Sequence, residues 1–308
     1  MDGSRETSSR DAIPRRTARL LLILCIAVFP AAVHAYEQDV SKWIEVPRPA
    51  APVSADRTAW NAAGSASPHE WVVFKDGPAV MAALKQDHES PGERPSFASE
   101  AEHEKDSNIF FKVDDGWLVA SDKGEFGDAL YWFDETGKIR QKISDHHVVA
   151  FFPSDDGVLA VEGLTHLSTS RGSIVRLTRT GQWETQRVTL LPEAPITGVM
   201  FRDRRLLLIL SNSLAEYFKR HTWEVFKFHV KDADWSSLSP SSIVLADDEK
   251  KAYIGMRQYV AEYDFRFRTL RFLVPDTSFL PNPPQEEQPK EPPKEQPRTK
   301  KKQKRPRK

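Results

Sequence analysis

The chain has one cysteine in 308 residues, Cys25, and it lies inside the apolar run LLLILCIAVF (20–29). If that run leaves as a leader, no thiol remains, which excludes disulfides, thiolate metal sites and cysteine nucleophiles. The fold must then be held by its core alone, and the chain is long enough for that. Lipidation at Cys25 is disfavoured because Leu24, not a small residue, precedes it. Long apolar runs are also missing, since the longest falls well short of the roughly twenty residues that cross a bilayer. No G-x-S-x-G motif and no Gly-rich phosphate loop occurs, so the common signatures of serine hydrolases and nucleotide binders are absent.

What the N-terminus does contain is a targeting pattern. Arg15, Arg16 and Arg19 precede the apolar run, Pro30 interrupts it, and Val33-His34-Ala35 offers the small residues that a signal peptidase reads. This predicts a signal peptide over residues 1–35 and an exported protein, periplasmic or extracellular. A retained membrane anchor is the alternative. Formal charge balances at 44 basic against 44 acidic residues, but the balance hides an asymmetry. Residues 281–308 hold ten Lys/Arg against four Asp/Glu, which makes this end +6 and the rest −6.

Residues 36–70 are rich in Ala, Pro and Ser and read as a linker with at most short ordered pieces. Residues 71–108 form an N-terminal segment, with WVVF (71–74) as a strand and AVMAALKQ (79–86) as one or two helical turns. Residues 275–308 are a Pro/Lys-rich tail that cannot bury a core and should be disordered.

Residues 109–274 carry a repeat. The phrases KVDDGWLVAS, PSDDGVLAVE, FRDRRLLLIL and LADDEKKAYIG align on Trp117, Val158, Leu206 and Ala252, with spacings of 41, 48 and 46 residues. In each unit an apolar run precedes the turn, a second follows it, and a third comes after a loop (129–134, 173–178, 223–229 and 259–265). Two units add a polar fourth run behind a tight turn, where Gly137 and Gly181 supply the positive φ that hairpins need. A strand buried on both faces has no reason to alternate, whereas a peripheral strand must face water. Four antiparallel strands per unit, apolar inside and polar outside, follow from that gradient. The paired aspartates are then turn residues, since Asp bonds nearby backbone amides and tolerates tight geometry.

The units resemble the blades of β-propeller repeat proteins, with D-E-T-G-K (134–138) similar to their third-to-fourth-strand hairpins. The stretch GEFGDALYWF (124–133) resembles segments of uncharacterised secreted bacterial proteins. TLRFLV (269–274) is more apolar than the polar fourth runs of the first two units, so it should be covered, with WVVF pairing beside it to close the ring. The resemblance implies an all-β fold, a small propeller of four or five blades. It implies no activity, because fold and function are separable.

In such a fold the loops between second and third strands share one end with the connections between units. These loops are read as residues 122–128, 164–172, 212–222 and 256–258, and the connections as 144–147, 192–195 and 232–240. Binding residues concentrate on loops mounted on a rigid scaffold. The candidate binding residues are therefore Asp122, Glu125, Phe126, His146, His147, His166, Arg171, Tyr217 and His221, with Phe126 and Tyr217 as exposed aromatics. His146 and His147 are adjacent and would point to opposite faces of a strand, so no metal or other cofactor is expected. The tail residues Arg298, Lys300, Lys301, Lys302, Lys304, Arg305, Arg307 and Lys308 suit an anionic envelope surface. Nucleic acid is disfavoured, because no stacking aromatic is interleaved with them.

Three functions are compatible with this pattern. The leading expectation is an exported, non-enzymatic binding protein whose loop-rich face meets a protein or glycan. The second is a hydrolase or lyase using carboxylates or histidines on that face. The third is an envelope-associated accessory or inhibitor protein guided by its tail.

Overall fold

The computed structural model describes residues 37–47, 67, 69–88, 92–98, 107–122, 129–166, 169–220, 223–231, 233, 235 and 238–279. The expected signal peptide and residues 280–308 of the expected tail lie outside the described residues, whereas 275–279, expected to be disordered, include a 3-10 turn (Thr277–Phe279) whose Phe279 ring packs against Trp71 at 5.5 Å. What is described is all-β. The chain opens with β1 (Glu37–Asp39) and β2 (Ile44–Val46) around one 3-10 turn, then the hairpin β3 (Trp71–Asp76) and β4 (Ala79–Leu84). Four groups of four strands follow. They are β5 (Ser107–Val113), β6 (Gly116–Asp122), β7 (Ala129–Phe133) and β8 (Arg140–Ser144); then β9 (Val148–Ser154), β10 (Gly157–His166), β11 (Thr169–Arg179) and β12 (Trp183–Leu191). The third group is β13 (Pro195–Met200), β14 (Leu206–Leu210), β15 (Leu214–Arg220) and β16 (Trp223–Val230), and the last is β17 (Ser242–Leu245), β18 (Lys251–Gly255), β19 (Val260–Asp264) and β20 (Thr269–Val274).

The strands form five separate sheets. Each group of four is one antiparallel meander, β2 adds a fifth strand outside β20, and β1-β4-β3 is a three-stranded sheet. The burial gradient explains why the sequence folds this way. All five residues of β14 are buried, whereas the outer strand β8 keeps only partial cover. A middle strand that is apolar on both faces needs a second sheet against each face.

Those partners are the neighbouring sheets. Leu118, Leu130, Trp132, Val158 and Leu177 join the β5–β8 sheet to the β9–β12 sheet. Val161, Ile174, Leu206, Leu208 and Tyr217 join the second meander to the third. Leu207, Ile209, Ile254, Ala261 and Tyr263 join the third to the fourth. Trp71, Val73, Tyr253, Val260 and Leu273 join the fourth meander to the three-stranded sheet. The first strands adjoin in series, β5 to β9, β9 to β13, β13 to β17, and β17 to β3.

The glycine of the DDG phrase has a steric origin. Gly116 (φ 151) and Gly157 (φ 129) start the second strand where it passes under the third, and a Cβ there would lie 2.0 Å from the Phe133 carbonyl and 2.2 Å from the Leu177 carbonyl. The last two units lack this glycine and place Arg204 (φ 69) and Glu249 (φ 54) in the left-handed region instead.

Other expectations change. Of residues 79–86, Ala79–Leu84 is a strand that pairs along all of β3, Gly77 (φ 55) makes the turn, and only a 3-10 turn (Lys85–Asp87) follows. Alternating burial of its apolar residues against neighbouring sheets outweighs the helical propensity of Ala, Met and Leu. WVVF does not pair beside TLRFLV; that edge takes β2, with Ile44 opposite Val274 and Val46 opposite Phe272. Within the expected linker, residues 37–46 form a strap that pairs with β4 at one end and β20 at the other. Its Val40, Trp43 and Val46 are buried, and Trp43 meets Trp71 edge-on at 4.8 Å.

Trp43→Ala should therefore lower the free energy of unfolding by about 3 kcal/mol or more, as for other buried aromatics. Chemical denaturation measures it. A change under about 0.5 kcal/mol, the range of surface substitutions, would mean that the strap is not seated.

Candidate binding face

Strand direction gives the sheets two distinct ends. One carries the first-to-second and third-to-fourth hairpin turns, the other the second-to-third turns and the links between sheets. At the hairpin end the paired aspartates do more than turn the chain. Asp115 pairs with Arg179 of the next sheet, and Asp155 accepts from Arg204 Nη2 of the sheet after it at 3.0 Å. Arg202 Nη2 reaches Asp247 Oδ1 at 3.2 Å, and Lys75 Nζ lies 3.9 Å from the same oxygen. Each pair crosses one seam, so a chain of charges follows the stacking order from β5–β8 to β3.

The link end is fastened by backbone groups. The Ala194 N–H donates to Ser170 Oγ (2.8 Å), Ala233 N–H to Asn212 O (2.8 Å), and Gln258 N–H to His69 O (2.8 Å). In all three, the link entering a sheet meets the preceding sheet near its second-to-third turn. Glu193 is the densest node: its carboxylate accepts from Asn212 N–H at 2.7 Å, Ser213 Oγ at 2.9 Å and Ser211 Oγ at 3.3 Å. Three hydroxyl and amide groups around one half-buried glutamate fix this turn.

The candidate residues distribute unevenly over this end. His146 and His147 are half-buried in the link between β8 and β9. His146 Nε2 lies 3.7 Å from Glu162 Oε2, and Ser173 Oγ donates to the other oxygen of that carboxylate. The carboxylate stands between hydroxyl and imidazole, which is the wrong order for a histidine to activate the serine. Arg171 is exposed but lies within β11 rather than in a loop, because β10 and β11 pair as far as His166 and Thr169. His166 is thus the last residue of β10, and Asp122 the last of β6. Glu125, Phe126 and His221 lie outside the described residues. Among the described residues no group of three or more His, Cys, Asp or Glu could hold a metal ion.

Tyr217 is a correction. Residues 214–220 form β15, the third strand of their unit, and 223–230 form the fourth, so Tyr217 is a buried strand residue. The Tyr217 hydroxyl donates to Glu224, and burial together with that carboxylate pushes its phenol up. The sequence signal was available: LAEY (214–217) and VAEY (260–263) stand 46 residues apart, the unit spacing itself.

That repeat places two buried glutamates at equivalent points. Glu216, with its side chain 3% exposed, lies 2.6 Å from Arg205 Nη1 and 2.9 Å from His229 Nε2. His229 is equally enclosed and meets Tyr263 and Phe265 of the next sheet edge-on. Burial opposes the Glu216 charge, but the hydrogen bonds from His229 and Arg205, with the nearby Lys227, outweigh it and hold the carboxyl at about 2. Glu262 repeats the arrangement with Arg271 Nη2 at 2.6 Å and Lys251 Nζ at 3.1 Å. Burial again opposes its charge, and these donors hold it below the usual carboxylate range. Arg271 also reaches Glu45 of the strap at 3.1 Å.

Comparison with protein-family models gives no match, and neither does comparison with curated protein sequences. Among solved structures, the chain is similar to the extracellular domain of a hybrid two-component system from B. thetaiotaomicron, at 13% identity and a TM-score of 0.26. The match covers 55% of this chain and 29% of that one. Among the described residues no helix is long and apolar enough to cross a membrane.

Glu216→Ala should cost about 1–3 kcal/mol at pH 7, because it removes the acceptor that the enclosed His229 ring and the half-exposed Arg205 share. Its folded carboxyl is depressed from 4.5 to about 2, so its contribution is complete above about pH 4.5 and is lost as pH falls toward 2. Urea melts across that window should show a flatter pH slope for the variant than for the native chain. Asp155→Asn should cost about 1 kcal/mol or less, since both partners of its pair are largely in water.

Proposed function

We propose that the five sheets are the blades of a five-bladed β-propeller, and that this exported protein acts by binding a protein or glycan at its link end. The ring reading is supported by the order of the seams. The three-stranded sheet follows the β17–β20 sheet with the same link-end bond that joins the other blades, and the strap reaches across that junction. The binding reading rests on the Glu193 node. It fixes the turn at 211–213 in place, so a partner meets a surface already ordered and little entropy is lost on contact. Beside the node stand exposed Leu190, Pro192 and Arg171, an apolar patch edged by a cation. The acidic groups best placed for catalysis, Glu216 and Glu262, are each taken up by cations at seams, which favours binding over turnover. The basic tail, 298–308, is proposed to add contact with an anionic envelope surface.

The test is a screen of the full chain against arrayed glycans and against proteins of its own compartment, followed by variants of each end. Arg171→Glu combined with Leu190→Ser should weaken the selected partner by about tenfold or more without shifting the melting temperature. Asp156→Ala at the hairpin end should leave affinity unchanged. The opposite pattern would move the binding surface to the hairpin end.

A further inference from the structure

Two of the large apolar side chains left in water stand at third-to-fourth hairpin turns. Ile139 is 63% exposed between β7 and β8, and Phe267 is 66% exposed between β19 and β20. Each is flanked by two exposed cations, Lys138 and Arg140 in the first case, Arg266 and Arg268 in the second. Each turn is also built on an aspartate at the end of the third strand. Asp134 Oδ1 accepts the Ile139 N–H at 2.9 Å and its Oδ2 the Thr136 hydroxyl at 2.7 Å. Asp264 Oδ1 accepts both the Arg266 and Phe267 N–H groups at 2.9 Å. Gly137 (φ 72) and Arg268 (φ 56) take the left-handed conformation that completes these turns. The same cation–apolar–cation triplet is thus displayed twice on preformed tips.

Both tips belong to one end of the sheet stack, the end that carries the chain of ion pairs. Lys219 and Arg220, exposed where β15 finishes, belong to it as well. None of these six cations joins an ion pair among the described residues. Most acids of the first-to-second turns, by contrast, are engaged: Asp115, Asp155 and Asp247 across seams, and Asp248 by Lys250 at 2.9 Å, while Asp76 and Asp114 have no ion pair among the described residues. The inner turns are therefore mostly neutralised, and the outer turns keep unpaired cations beside exposed apolar side chains, Arg266 lying over the Phe267 ring at 5.1 Å.

We infer that the hairpin end docks on an anionic lipid bilayer, with Phe267 and Ile139 entering the headgroup boundary and the six cations meeting lipid phosphates. An apolar tip gains little on a polyphosphate or acidic glycan, but it partitions into the edge of the acyl region, and this favours lipid over a soluble polyanion. Cations beside the apolar tip add the electrostatic part, each by a factor of about five near an anionic surface. The inference rests on the shared direction of the hairpins, and it is independent of the partner proposed for the link end.

Co-sedimentation of the full chain with vesicles tests it. Mixed phosphatidylglycerol and phosphatidylcholine vesicles should bind the protein, and phosphatidylcholine alone should not. Ile139→Ser with Phe267→Ser should weaken vesicle binding by about tenfold, while binding to soluble heparin stays at the native level. Arg266→Gln with Arg268→Gln should weaken it by about twentyfold. Thermal scans should place both variants at the native melting temperature, because the four side chains are exposed. Unchanged vesicle binding by the serine variant would overturn the inference and assign the affinity to the basic tail. Binding to heparin without binding to mixed vesicles would overturn it equally.

Discussion

Leu206, Leu207, Leu208, Ile209 and Leu210 are each at 0% exposure, and a strand with apolar side chains on both faces cannot be stable in a sheet that has only one covered side. Every other feature of the architecture answers that requirement. Each meander is covered by the next, so the molecule grows as a series of seams, each holding its own apolar cluster. Phe97 packs over Trp117 and Val119 on the face of the β5–β8 sheet turned away from β9–β12. The three-stranded sheet and the strap cover the face of β17–β20 turned away from β13–β16, with Trp71, Val73, Val40 and Trp43.

Apolar burial supplies the energy of these seams, but it is non-directional and would tolerate sliding. Position is set by polar groups at fixed heights. Ion pairs hold the hairpin end, each worth little alone because its members are exposed. Backbone hydrogen bonds hold the link end, and between them Glu216 and Glu262 place one enclosed carboxylate in each of two successive seams. Replacing such a buried cluster by apolar groups need not weaken a protein, whereas removing one member does. The ion-pair partners of both glutamates belong to the glutamate's own sheet, so these clusters align strands within a sheet, and the Glu262–Arg271–Glu45 sequence ties the strap to β20.

Much of this was legible in the sequence because it repeats. The aligned DDG phrases located the first hairpin of each meander, and the apolar-to-polar gradient along each unit gave the strand order. The strand at 214–220 was missed for a physical reason: Glu216 and Lys219 look like loop residues when burial is judged by polarity, and only the cations around Glu216 make it compatible with a core. The same habit placed Tyr217 on the surface. Residues 79–84 carry no helix-breaking residue, so only the hairpin turn at Asp76-Gly77 distinguishes strand from helix there. The strap was hidden by its composition, since three buried apolar residues are spaced through a polar segment and pair with strands far away in sequence. Convergence across the link end, as between His146 and Glu162, depends on which strands adjoin, and periodicity carries no such information.

If residues 37–46 bind the three-stranded sheet and the β17–β20 sheet into one cooperative structure, native-state amide hydrogen exchange will show it: the paired amides of β1 and β2 will exchange slowly, and open together with those of β3 and β17–β20 as denaturant is added. Exchange of the β1 and β2 amides at the rate of an unfolded peptide, while β14 and β18 stay protected, would contradict it.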